Sequence, residues 1–334
     1  MARNLQVTLA ARPAGEPKES DFALVEAEVP GPGEGEVVVR NLWLSLDPYM
    51  RGRMNEARSY VAPVALGEVM GAQAVGEVVE SRSPRYAEGD VVVGMFGWQE
   101  YAAAPAHQLR RLDPAVAPVS TALHVLGMTG LTAYFGLFSV GSATAGDTVV
   151  VSAASGAVGQ VAGQLAKIAG CRAVGIAGSP EKIDDCLTLF GYDAALDYKR
   201  DDLREGLKRE CPDGVDVYFD NVGGPVSAAV HRRLALRSRI AICGQIAEYN
   251  QVPPEGGPRS VSFMIAKRVR MEGFLVNDFA RQHEPALMRL AGWLREGRLR
   301  YREDVVEGLE HAPRAFIGLL NGENRGKLLV KVAG

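Results

Sequence analysis

The sequence predicts an α/β protein: a doubly wound parallel sheet joined to a separate β-rich domain. Three observations carry that expectation. An apolar strand runs into two glycines just ahead of a helical pattern, in Val149-Val150-Val151-Ser152-Ala153-Ala154-Ser155-Gly156-Ala157-Val158-Gly159. Strand-like and helix-like segments then alternate along the chain, the pattern of right-handed crossovers onto a parallel sheet. The chain before Leu126 shows strand patterns punctuated by Gly/Pro clusters and no such alternation.

Taken in order, the first part has strand character over 36–44, 74–80 and 90–93, with turns such as Pro30-Gly31-Pro32-Gly33, and reads as a small barrel or sandwich. A helix is expected over 129–138 and a strand over 148–152. A helix over 157–169 places Val158, Val161, Leu165 and Ile168 on one face. A strand follows over 173–177, then a helix with Ser179 as N-cap and Pro180 at its first position. Further strands are expected over 194–196, 215–219 and 239–243, and a long helix over 279–296. The final strand, 326–332, is expected to pair with the first domain, which makes the parallel-sheet domain an insertion. The expected boundaries are 1–126 with 301–334 for one domain and 127–300 for the other.

Composition narrows the function classes. The 334 residues are 47% hydrophobic and 23% charged, the balance of a globular protein with a large core. A net charge of −3 sets up no field favouring nucleic acid or an anionic membrane. No apolar run approaches the roughly 20 residues of a membrane span, and the N-terminus lacks a signal-peptide core. A cytoplasmic location is the default expectation. Cys171, Cys186, Cys211 and Cys243 form no CxxC pair, so they are expected as reduced thiols in or near the core.

The glycine turn gives the first chemical reading. Glycines there let a dinucleotide pyrophosphate approach the backbone, and the next helix presents its N–H groups and dipole; such turns also occur as packing joints. The strand that follows ends in Gly175-Ile176-Ala177-Gly178-Ser179 with no acid at its tip, where an acid would hold the ribose 2′-OH of NAD. Ser179 can donate a hydrogen bond, and Lys182 is either a phosphate contact or a solvated helix lysine. The reading is NADP over NAD. Asp220-Asn221-Val222-Gly223-Gly224 and Cys243-Gly244-Gln245-Ile246 follow further apolar strands, so they recur at the sheet edge where open α/β folds bind ligands.

These motifs resemble the zinc-free medium-chain dehydrogenase/reductases, in the branch of prostaglandin, plant double-bond and bacterial curcumin reductases. The resemblance runs nearly end to end. It includes Leu42-Trp43-Leu44-Ser45-Leu46-Asp47-Pro48-Tyr49-Met50-Arg51-Gly52-Arg53-Met54, Gly127-Met128-Thr129-Gly130, Gly273-Phe274-Leu275-Val276 and Gly322-Glu323-Asn324-Arg325-Gly326-Lys327. It implies a Rossmann domain plus a GroES-like substrate domain, with NADPH as cofactor. It further implies that Gly156, Ala157, Val158 and Gly159 line the pyrophosphate and that Lys182 and Tyr198 hold the 2′-phosphate. Asn221 and the segment from Cys243, Gly244, Gln245 and Ile246 to Tyr249 would line the riboses. Phe274, Leu275 and Val276 would present backbone groups to the carboxamide, and Asn324 would close over it. From the residues alone, Asp197-Tyr198-Lys199 reads as a turn. The resemblance also implies a homodimer through strand addition in the nucleotide domain.

No metal is expected. Zinc alcohol dehydrogenases carry Gly-His-Glu where this chain reads Leu66-Gly67-Glu68-Val69-Met70-Gly71, and no cysteine precedes Cys171. His107 and His124 stand alone and read as surface or packed histidines. Without a Lewis acid, hydride addition to a conjugated double bond is the easier chemistry, with donors stabilising the enolate. Tyr49 and Tyr249 are the candidate donors or else packed aromatics, and Tyr60 is a weaker third. Arg51 and Arg53 read as a solvated or salt-bridged face ahead of an anion-attracting one, and the Pro/Gly-rich loop 249–260 as a pocket cap. The expectation is an NADPH-dependent reductase of α,β-unsaturated aldehydes or ketones acting on a small-molecule substrate. The alternatives are a quinone reductase and a non-catalytic NADPH-binding protein.

Overall fold

The structure is a computed structural model that describes residues 3–56, 61–251 and 262–333. The chain divides into two compact units. The first comprises Met1–Leu123, Glu303–Asn324 and Leu328–Gly334, and the second His124–Arg302 and Arg325–Lys327. Tyr60 and the 252–260 part of the expected pocket cap lie outside the described residues.

In the first unit, β1 (Arg3–Leu9) pairs antiparallel with β2 (Phe22–Glu28). β3 (Glu36–Ser45) follows, its Val37, Val39 and Leu44 buried. One helical turn, α1 (Met50–Arg53), leads on to β4 (Ala74–Ser81), β5 (Val91–Gly94), β6 (Tyr101–Pro105) and β7 (Arg110–Arg111). The strand pattern over 36–44, 74–80 and 90–93 thus becomes β3, β4 and β5. The sequence reading missed β1, β2, β6 and β7. Phe22 stacks on Trp98 at 5.6 Å, and both meet Phe316 edge-on, giving this unit an aromatic centre.

The second unit begins with α2 (Met128–Phe135), which widens into a π-helical turn over Gly136–Val140. Then come β8 (Thr148–Ser152), α3 (Gly159–Ile168), β9 (Arg172–Ala177) and α4 (Pro180–Asp184). β10 (Ala194–Asp197), α5 (Leu203–Glu210), β11 (Val215–Asp220), α6 (Gly224–His231) and β12 (Leu234–Ile242) continue the alternation. α7 (Ser262–Lys267), β13 (Arg270–Gly273) and α8 (His283–Arg295) complete it. The parallel sheet has the order β10-β9-β8-β11-β12-β13, the 3-2-1-4-5-6 order of the doubly wound dinucleotide fold. Its central strands, such as Thr-Val-Val-Val-Ser in β8, are apolar because helices cover both faces.

Two helix boundaries differ from expectation. The helix expected over 157–169 begins at Gly159, because Ala157 and Val158 belong to the turn. The helix expected over 279–296 begins at His283. A 3-10 turn, Val276–Gln282, precedes it, and Phe279 there leaves helical geometry at φ −105° and ψ 16°. The His283 ring bonds the Val276 carbonyl oxygen at 2.8 Å and fastens this break.

The chain then returns to the first unit with β14 (Glu303–Glu307) and α9 (Ala312–Leu320), and β15 (Lys327–Lys331) ends the element order. β15 pairs antiparallel with β3, Leu329 opposite Ser45 and Lys331 opposite Trp43. The larger antiparallel sheet runs β14-β15-β3-β4-β5-β7, with β6 also on β3. Among the described helices, none is long and apolar enough to cross a membrane.

Candidate cofactor and active site

The six parallel strands of the second unit release their chains at one edge of the sheet. The first residues to leave are Ala153 after β8, Gly178 after β9 and Tyr198 after β10. Asn221 follows β11, Cys243 follows β12 and Phe274 follows β13. Of the residues singled out in the sequence for the cofactor, those in the second unit lie on the turns that start here or in the first turn of the helix that follows, at the edge where open α/β sheets bind ligands.

The glycine turn is held in a defined shape. Ala153 adopts φ 48°, an unusual value for a residue with a side chain. A Cβ on Gly159 would lie 2.2 Å from the Ala153 carbonyl oxygen, so only glycine lets α3 start this close to β8. Two buried side chains support the turn from inside. His124 bonds the Ala157 carbonyl oxygen through Nε2 at 3.2 Å. Burial, reinforced by the nearby Lys327 charge, lowers its pKa to about 3, so the ring is neutral and Nε2 carries the proton it donates. The Tyr192 hydroxyl donates to the Gly159 carbonyl oxygen at 2.7 Å. Its ring fills space that Gly163 and Gly175 leave open, since a Cβ on Gly163 would meet it at 2.0 Å.

The tip of β9 lacks an acid, as the sequence indicates. Ser179 caps α4 by accepting the Lys182 N–H at 3.3 Å. The Tyr198 ring stands against Gly178, where a Cβ would approach it at 2.6 Å. Ser179, Lys182 and Tyr198 are therefore gathered around one strand tip, with Tyr198 45% exposed.

At β11 the Asp220 carboxylate is buried and fully bonded. Its Oδ1 accepts from Ser152 Oγ at 3.2 Å, the Tyr218 phenol at 2.9 Å, and the N–H groups of Val222 and Gly223 at 3.0 Å. Its Oδ2 accepts from Ser227 Oγ at 2.5 Å. Asn221 donates its N–H to Ser152 Oγ at 2.9 Å and its side-chain amide to the Ser152 carbonyl at 2.7 Å. This network ties β8 to β11, where the strand order reverses. The N–H groups of Cys243 and Gly244 donate to the Asp220 carbonyl oxygen at 2.8 and 3.2 Å. The Tyr249 hydroxyl accepts the Gln245 N–H at 3.4 Å, which folds the loop from Cys243 through Ile246 back on itself. Burial, with the Asp220 charge, pushes the Cys243 thiol up to about 12.

Beyond β13, the Phe274 ring meets Phe219 edge-on at 6.4 Å. The Leu275 N–H donates to Asp278 Oδ2 at 3.0 Å. Tyr49 and Asn324 belong to the first unit, where Tyr49 precedes α1 and rests partly buried on the core. Arg51 overturns its expected surface place. It is 1% exposed, and its guanidinium donates to the Gly15 carbonyl oxygen and to Asn55 Oδ1, both at 2.7 Å. Asp47-Pro48 starts the helical turn, which aims the following arginine inward. His124, Tyr192, Asp220 and Ala153, which shape these turns, are not among the candidate site residues read from the sequence. Ala153 and Asp220 lie inside the quoted 149–159 and 220–224 motifs, whereas His124 and Tyr192 carry no such signal.

Two family models match: one described as the N-terminal domain of oxidoreductase over residues 5–112, and one as a zinc-binding dehydrogenase over 157–293. The NADPH-dependent curcumin reductase of Escherichia coli is 43% identical over 99% of this chain and 98% of its own length. The NADP-dependent 2-alkenal reductase of Nicotiana tabacum is 45% identical over the same shares, 99% and 98%. The crystal structure of CurA in complex with NADPH from Vibrio vulnificus is 42% identical, covers 100% of both chains and has a TM-score of 0.94. Among the described residues no group of three or more His, Cys, Asp or Glu could hold a metal ion. Burial pushes the Cys171, Cys186 and Cys211 thiols up to about 11, 12 and 11. The chain belongs to the medium-chain dehydrogenase/reductase family of NADP-dependent oxidoreductases, in the branch that holds the curcumin, 2-alkenal and prostaglandin reductases.

Proposed function

We propose that this protein reduces the carbon–carbon double bond of α,β-unsaturated aldehydes and ketones with NADPH. The observation that carries the reading is its end-to-end likeness, at 45% identity, to a 2-alkenal reductase. The acid-free tip of β9, with Ser179, Lys182 and Tyr198 around it, supports a cofactor bearing a 2′-phosphate. In this reading Gly156, Ala157, Val158 and Gly159 line the pyrophosphate. Asn221, Cys243, Gly244, Gln245, Ile246 and Tyr249 line the riboses. Phe274, Leu275, Val276 and Asn324 serve the carboxamide end.

Bound NADPH supplies the hydride. Its addition to the β-carbon of an enone moves charge onto the carbonyl oxygen, and hydrogen-bond donors lower the barrier by meeting that charge. We assign this role to the phenols of Tyr49 and Tyr249, since a protonated phenol is a donor at neutral pH. The proton for the α-carbon comes from a donor that the sequence does not single out. We further propose a homodimer formed by strand addition, for which β13, an outer strand of the parallel sheet, is available.

The test is NADPH oxidation, with chelator present, against enals, enones, quinones and saturated aldehydes. Turnover on enals and enones giving a saturated carbonyl product supports the reading. Turnover on quinones alone, or NADPH binding without turnover, overturns it.

A further inference from the structure

Asp185 opens the π-helical turn Asp185–Leu189 that continues α4, and its side chain is only 4% exposed. It carries two arginines. Arg325 grips it with both ends of its fork, Nε to Oδ2 at 2.5 Å and Nη2 to Oδ1 at 2.8 Å. Arg302 donates Nη1 to Oδ1 at 2.6 Å. The same Arg325 Nη2 reaches the Glu181 carbonyl oxygen at 3.3 Å, in the first turn of α4 and next to Lys182.

The other side of this clamp leads to the glycine turn. On α3, the helix that the turn starts, Gln160 bonds both backbone groups of Arg302, accepting its N–H at 2.7 Å and donating to its carbonyl at 3.3 Å. Gln164 does the same to Arg300, at 2.7 and 2.8 Å. The Lys327 N–H donates to the Arg302 carbonyl oxygen at 3.0 Å. A Cβ on Gly326, at φ 101°, would collide with that oxygen at 2.4 Å, so the strand next to Arg325 must lie against Arg302. A continuous set of contacts therefore joins the helix behind the pyrophosphate turn to the helix that carries Lys182, and Asp185 is the node where its two arginines meet.

We propose that Asp185 is a positioning residue for the 2′-phosphate. It sets the distance between the 153–159 turn and the Ser179–Lys182 turn, and thereby the preference for NADPH over NADH. The proposal rests on the assignment of Lys182 to the 2′-phosphate. Its physical basis is that a 2′-phosphate and a pyrophosphate of one adenosine are a fixed distance apart. A receptor for both gains affinity only when its own two turns keep that span.

Charge alone predicts the opposite of this proposal. Removing a carboxylate near the site leaves two arginines and Lys182, which should attract a phosphate more strongly. The test is direct binding of NADPH and of NADH to the full-length Asp185→Asn and Arg325→Lys variants, with Lys182→Ala alongside. Asp185→Asn is expected to raise the Kd for NADPH by about five- to tenfold, in the range for members of one charged network, with the Kd for NADH changed by less than about twofold. Arg325→Lys keeps the charge but loses the fork, so it should shift NADPH the same way by a smaller factor, and it carries the test if Asp185→Asn does not fold. Tighter or unchanged NADPH binding in both variants overturns the proposal, and so does equal weakening of NADPH and NADH. If Lys182→Ala selectively weakens NADPH while the clamp variants do not, only the role of Asp185 falls. If Lys182→Ala leaves the NADPH preference intact, the assignment beneath the proposal falls.

Discussion

His124 makes the stability of the second unit depend on pH in a calculable way. The ring is fully buried, and its pKa falls from an ordinary 6.5 to about 3 in the folded protein. The folded state therefore binds fewer protons than the unfolded state between these two values. The stabilisation is present in full above pH 6.5, is lost as pH falls below it, and is exhausted near pH 3. Each unit of that interval costs about 1.4 kcal/mol. Between pH 6.5 and 5 the loss is about 2 kcal/mol, or roughly 4–8 °C in Tm for a domain of about 150–250 residues. The assay is thermal unfolding across this range for the wild type and for His124→Gln, which cannot titrate but can still donate to the Ala157 carbonyl oxygen. The variant will be less stable at pH 7 through imperfect packing, so the comparison is of slopes. A wild-type curve that falls more steeply by the stated amount supports the argument. Parallel curves would show that the ring titrates alike in both states and would refute it.

Three further outcomes are expected. Gly178→Ala should displace Tyr198, which a Cβ meets at 2.6 Å, and raise the KM for NADPH. Gly178→Asp should raise it further while sparing NADH, and equal effects of the two variants would remove charge from the discrimination. Tyr49→Phe and Tyr249→Phe should each lower kcat by roughly tenfold or more without changing the Tm, by the scale of a lost donor at a developing oxyanion; unchanged kcat in both would place enolate stabilisation elsewhere. Tyr192→Phe keeps the ring that fills the space beside Gly163 but removes the donor to the Gly159 carbonyl. It should cost about 1–2 kcal/mol in denaturant unfolding and weaken NADPH and NADH alike, because both share the pyrophosphate.

What the sequence disclosed and what it hid follow from how far apart the interacting groups lie. β8, β9, β11 and β12 read clearly because strands covered on both faces are apolar runs, and the residues just after them form the proposed binding turns. β13 did not read as a strand: Arg-Met-Glu-Gly is short, polar and at the sheet's outer edge. β1 and β2 hold each other in register over seven pairs, but neither shows a local signal that names its partner. The helix expected from Phe279 onward keeps its apolar spacing across a break made by Asp278 and His283, whose side chains bond backbone groups nearby. Asp185 joins groups 117 and 140 residues away, which no window along the chain can detect.

In the proposed reading, the hidden groups prepare the visible turn for an anion. In a planar peptide the carbonyl and the following N–H point in opposite directions. His124 holds the Ala157 carbonyl oxygen toward the interior, so the Val158 N–H is turned the other way, to the side that a pyrophosphate would approach. A carbonyl left to rotate outward would repel that same anion. The neutral His124, the Tyr192 phenol and the Asp220 carboxylate are all polar groups that burial penalises unless they are bonded, and each is bonded to the turn or to its neighbour strand. In that reading the glycines make room for the cofactor. The buried His124 and Tyr192 donors would then decide which face of the peptide it meets, and for that reason the variants that test the proposed site most sharply lie beneath the turn rather than on it.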